Sequence, residues 1–126
     1  MNCPQCDAEM AELVSPSEER IHVCAECGQW LDGTQLNAIL LHSNLPGLAS
    51  LGGRVVPEHA TGTCSTCRVS LVRLEKAGDL FYEVCEECGW VFFPFDPPAA
   101  ADFDAARAQL VAAVTAFIGK KARASK

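Results

Sequence analysis

The residues best suited to chemistry in this chain are its eight cysteines, and all of them stand in Cys-x-x-Cys pairs: Cys3 and Cys6, Cys24 and Cys27, Cys64 and Cys67, Cys85 and Cys88. Two such pairs let four sulfurs face one point about 2.3 Å from a tetrahedral metal, which is the donor set of a structural Zn2+ site. Iron is the lesser alternative, because tetrahedral all-sulfur ligation suits it too. In each set 17 residues separate the two pairs, and every cysteine recurs 61 positions later. The expectation is a duplicated module holding two zinc ions. With four protein ligands per metal, no position stays open for water or substrate, so no catalytic residue is assigned and the chain reads as no enzyme. His22, His42 and His59 stand far apart and form no metal or catalytic motif.

Metal ligation rather than disulfide bonding follows from the expected compartment. Met1 leads directly into Asn2-Cys3-Pro4-Gln5-Cys6 with no basic cap and no apolar run, so the reading is a cytoplasmic protein in a reducing setting. The apolar stretch from Ala108 to Ile118 is too short to span a membrane, which takes roughly 20 residues.

Short hairpins must bring the cysteine pairs together. Met10 to Val14 and Ile21 to Val23 read as strands around a Ser15-Pro16-Ser17-Glu18-Glu19 turn. In the second module Val69, Leu71, Leu80, Tyr82 and Val84 alternate with more polar neighbours around Ala77-Gly78-Asp79. Asp32-Gly33-Thr34-Gln35 has the form of a capping box, with Leu36, Ile39 and Leu40 as the apolar stripe of a helix over about residues 33 to 43. A second helix is expected from Asp96 and Pro97 to about Gly119, with Phe103, Ala106, Leu110, Ala113, Val114 and Phe117 on one face, widened by Val111 and Ile118.

The fold class is therefore a small, metal-stabilised α+β protein: two four-cysteine zinc ribbons, a short helix after the first, and a C-terminal amphipathic helix. The expected divisions are ribbon one with its exit helix at 1–43, a Pro/Gly linker at 44–62, ribbon two at 63–95, the amphipathic helix at 96–119 and a basic tail at 120–126. Modules of about 35 to 40 residues bury too little to fold unaided, so metal should supply much of their folding free energy. Gly28 and Gly89 follow the last cysteine of each set, where a positive φ and amide hydrogen bonds to sulfur are expected.

Cys3-Pro4-x-Cys6, Ile21-x-Val23-Cys24-x-x-Cys27-Gly28 and Trp30-Leu31-Asp32-Gly33 with Leu36 resemble the bacterial transcription-factor-IIB-type zinc-finger family of short ribbons. That family has one more residue before the tryptophan, and often Gly-Glu-Leu where this chain has Thr34-Gln35-Leu36. The resemblance covers about residues 1 to 42. The second copy keeps the cysteine frame and Gly89 but exits through Trp90-Val91-Phe92-Phe93-Pro94-Phe95. What the resemblance implies is a zinc-binding fold, with transcription as an analogy only.

Charge sorts the functions. The formal net charge is −6, and thiolate ligation of two zinc ions takes it to about −10. That argues against a phosphate backbone as partner. The first reading is a protein-binding adaptor that docks through Trp90, Phe92 and Phe95, with a dimer through the C-terminal helix as a further option. A nucleic-acid-binding or transcription-associated ribbon is the alternative, resting on Lys120 to Lys126 with Arg68 and Arg73. A redox- or metal-responsive zinc-thiolate switch is the second alternative.

Overall fold

The structure, a computed structural model, describes residues 2–24, 26–47, 53–56, 62–76, 80–94 and 102–124. Side chains at 76, 80 and 118–124 fall outside that description, as do the Ala77-Gly78-Asp79 turn, Phe95, the Asp96-Pro97 entry and most of the expected linker and tail. Among the described residues seven strands and two helices follow in the order β1 (Ala11–Val14), β2 (Arg20–Cys24), β3 (Gly28–Asp32), α1 (Gly33–His42), β4 (Arg54–Val55), β5 (Val72–Lys76), β6 (Leu80–Val84), β7 (Trp90–Pro94) and α2 (Phe103–Ala124). They form an α+β fold around one antiparallel sheet ordered β1-β2-β3-β7-β6-β5-β4. The two modules are joined edge to edge through β3 and β7, and Arg54–Val55, inside the expected linker, is itself a strand beside β5.

Duplication is visible in the strand register. Leu13 faces Ile21 across β1 and β2, and Leu74 faces Tyr82 across β5 and β6, each residue 61 positions on. The third strands break the rule by one residue: Val23 faces Gln29, whereas Val84 faces Val91. The turn of the second module is longer by one, with Gly89 at φ 81 and the Cys85 amide donating to the Trp90 carbonyl at 2.9 Å. A one-residue slip turns every side chain to the other face. Phe92, opposite Glu83, is therefore the positional counterpart of Trp30, opposite His22, and Trp30 and Phe92 face each other across the β3–β7 seam. The molecule has an approximate twofold axis through that pair.

The two sheet faces carry separate cores. Ile21, Leu31, Val91, Phe93 and Tyr82 share one face with Leu36, Ile39 and Leu40 of α1 and Phe103, Ala106, Leu110, Val114 and Phe117 of α2. Trp30, Phe92, Met10 and Leu71 share the other with Cys3, Cys24, Cys64 and Cys85. Val69 and Leu71, expected to continue the β5 stripe, pack instead in this cysteine-side core, because the Leu71 amide bonds the Gly62 carbonyl at 3.0 Å and draws the segment into the knuckle.

The local signals explain both helices. Asp32 caps α1 by accepting from the Thr34 amide at 2.8 Å. Gln35 does not complete a capping box; its Oε1 accepts from the Arg20 amide at 3.0 Å and ties α1 to the start of β2. Asn44 at φ 60 and the bond from the Leu45 amide to the Leu40 carbonyl at 2.9 Å end the helix. For α2 the cap is Asp102, whose Oδ1 accepts from the Ala105 amide at 2.7 Å. Its apolar face lies on this chain's own sheet, where Phe117 meets Tyr82 edge-on at 5.5 Å and the Gln29 Nε2 donates to the Ala106 carbonyl at 3.1 Å. The side that a helix-mediated dimer would use is thus the side already covered.

Candidate metal centres

Each set of four cysteines is built from two unlike halves. The first pair of each set sits in a tight loop closed by the same bonds: Cys3 amide to Ala8 carbonyl at 2.8 Å and Asp7 amide to Cys3 carbonyl at 2.9 Å, then Cys64 to Val69 and Arg68 to Cys64, both at 2.9 Å. Asp7 at φ 65 and Arg68 at φ 61 make the sharp turn that sends the chain back. The second pair of each set lies at the turn between the second and third strands of its ribbon. The hairpin between the pairs carries both to the same end of the ribbon.

The sulfurs converge accordingly. Cys3, Cys6, Cys24 and Cys27 place their Sγ atoms within 4.8 Å of one another, and so do Cys64, Cys67, Cys85 and Cys88. Cys6 and Cys24 stand 3.6 Å apart and Cys64 and Cys88 3.7 Å. Sulfurs on a tetrahedron with 2.3 Å bonds are separated by about 3.8 Å, while a disulfide needs about 2.05 Å. All eight cysteines are free. The donor set and its spacing therefore fit zinc, as the sequence pattern predicted.

Backbone amides prepare the sulfurs for a cation. The Gln5 amide donates to Cys3 Sγ and the Cys67 amide to Cys64 Sγ, each at 3.4 Å. Burial still pushes the Cys3 thiol up to about 11. Burial also pushes at Cys24 and Cys64, but amides within their own Cys-x-x-Cys turns, together with neighbouring thiols, outweigh it and lower both. Gly28 and Gly89 have the expected positive φ, 152 and 81. The amides that reach Cys3 and Cys64 Sγ, however, belong to Gln5 and Cys67, inside the pairs, where the turn itself aims them inward.

Between the two clusters lies an aromatic wall. Trp90 is half-buried and stands 5.4 Å from Trp30 and 5.5 Å from His22, ring centre to ring centre. Phe92 is fully buried against Trp30, which corrects its expected place on a docking surface. A short apolar run such as Trp90-Val91-Phe92-Phe93 is the pattern of a strand covered on both faces, and that signal was available in the sequence. Phe95, the third expected docking residue, lies outside the described residues.

Sequence reasoning also missed two buried polar residues. Gln29 anchors α2 through Ala106 and also meets Gln109 Oε1 at 3.3 Å. Glu83, fully buried beside the seam, accepts from Gln5 Nε2 at 2.9 Å and so ties the first knuckle to the second hairpin. Nothing in the spacing of Gln5 and Glu83 announces that contact, because they are 78 residues apart. The two N-terminal knuckles are also joined directly, Thr63 amide to Pro4 carbonyl at 2.9 Å. A cleft of about 650 Å³ opens between them.

Comparison with known proteins agrees with the geometry. Residues 2–42 match the model of a family described as a transcription factor zinc-finger, the zinc ribbon of transcription-factor-IIB type. The second four-cysteine cluster, at 64–88, fits a duplicated ribbon. No curated protein and no solved structure matches the chain.

Proposed function

With a zinc ribbon of that family at 2–42 and a repeat of its ligand frame behind it, we propose that the chain is a non-catalytic binding module whose two metals are structural zinc, and that it works as an adaptor for another protein. The observation that carries this reading is the donor set: each cluster offers four thiols at tetrahedral spacing. Such a set fills the coordination of zinc and leaves no site for a reacting water. The metals then fix a surface rather than transform a substrate.

The family description favours one rival, a transcription-associated ribbon that contacts nucleic acid. The charge counts against direct contact, since −6 becomes about −10 once eight thiolates hold two zinc ions. Among the described residues no helix is long and apolar enough to cross a membrane. A redox-responsive site is common to every ribbon and has no feature of its own here.

The test is capture of bound proteins by zinc-loaded, full-length chain, with and without nuclease, beside a salt titration against random-sequence DNA and RNA. The adaptor reading expects proteins retained after nuclease and no salt-dependent nucleic-acid affinity. Capture abolished by nuclease, with affinity falling steeply as salt rises, would favour the rival.

A further inference from the structure

The surface first expected to dock a partner is partly closed by the seam, but the same seam opens another. From its geometry and charge we infer that the cleft between the two N-terminal knuckles is a peptide-binding site, taking an extended segment of a partner protein that carries one acidic and one basic side chain. This rests on the adaptor reading and gives it a location.

The cleft lies across the approximate twofold axis, and its walls are the same loop used twice: Asn2, Gln5 and Asp7 recur 61 positions on as Thr63, Thr66 and Arg68. Its volume of about 650 Å³ falls within the roughly 300–1,000 Å³ of ligand pockets. Most such pockets are lined by apolar groups, whereas this one presents amides, hydroxyls and backbone. Asn2, Thr63 and Thr66 offer both donors and acceptors, as a main chain requires. The Ser65 hydroxyl oxygen, also in the wall, is buried with no hydrogen-bond partner among the described residues.

Charge selects the occupant. Asp7 and Arg68 occupy equivalent positions, both are exposed, and they carry opposite signs. Arg68 makes no ion pair among the described residues, and Asp7 accepts one bond, from Asn2 Nδ2 at 3.2 Å. A polyanion would meet Asp7 and two zinc-thiolate centres of about −2 each, against a single cation. A chain with one acid for Arg68 and one base for Asp7 meets neither obstacle.

The test uses the symmetry. Random heptapeptides displayed on phage are selected on zinc-loaded wild type, on Asp7→Arg, on Arg68→Asp and on the double exchange, each confirmed by metal content and circular dichroism. Both positions already hold a left-handed backbone, one with each residue type, so the exchanges place no residue in a conformation its counterpart does not adopt. Wild type is expected to enrich peptides with one acid and one base. Asp7→Arg should shift the selection to two acids, Arg68→Asp to two bases, and the double exchange should restore the mixed pattern. No enrichment, or enrichment indifferent to these changes, overturns the cleft. If the variants still capture the same proteins after nuclease, the adaptor reading survives without it; if wild type captures none, that reading falls as well.

Discussion

Gly28 and Gly89 look alike in the sequence, each following the last cysteine of its set, yet the structure asks different things of them. A Cβ on Gly28 would lie 2.1 Å from the Phe93 carbonyl oxygen, because β7 runs against it, while a Cβ on Gly89 meets nothing within 4 Å. Gly28→Ala should therefore part the two modules and cost about 3 kcal/mol or more. Gly89→Ala should cost only the backbone strain at φ 81, about 1–2 kcal/mol. Denaturant unfolding of both variants checks the contrast, and equal losses would mean that β7 does not lie against Gly28. The eight sulfurs were legible because ligand spacing is local; the close approach at Gly28 was not, because its cause lies some 65 residues away in the chain. A Cys24→Ser variant should retain no metal at the first site, read by metal analysis.

The hairpins and both helices were legible as elements, since turn residues, caps and apolar periodicity act within a few positions. The pairing of β3 with β7 was not, although it decides the architecture. An isolated ribbon leaves the outer edge of its third strand unpaired, and edges of this kind seek partners. Here each module supplies the other's, and the one-residue slip in the second turn puts Phe92 rather than Trp90 opposite Trp30. Phe92→Ala should accordingly cost about 3–5 kcal/mol in denaturant unfolding. Trp90→Ala, from a half-buried position, should cost clearly less; the reverse order would contradict the seam. Removal of residues 102–126 uncovers the helix-side core formed by Ile21, Leu31, Val91 and Tyr82, so the truncated chain should bind an apolar dye that the full chain does not.

At the scale of the molecule, the 61-residue repeat announced two copies but not how they meet, because the contacts that join them, Gln5 with Glu83 and Thr63 with Pro4, involve residues of no distinctive type. They tie the loop that carries Cys3 and Cys6 to the second module, so breaking one metal site is expected to loosen the other. Cys64→Ser, which breaks the second site, should weaken zinc retention at the first on the order of tenfold in chelator competition, a coupling ordinary for linked sites. Unchanged retention would mean that the shared sheet transmits nothing. All of this depends on two closed metal centres in one chain, and the most direct test is metal analysis of untagged protein purified without added metal, paired with native mass spectrometry. The account predicts two zinc ions per chain; a metal-free chain whose mass shows disulfides would contradict it.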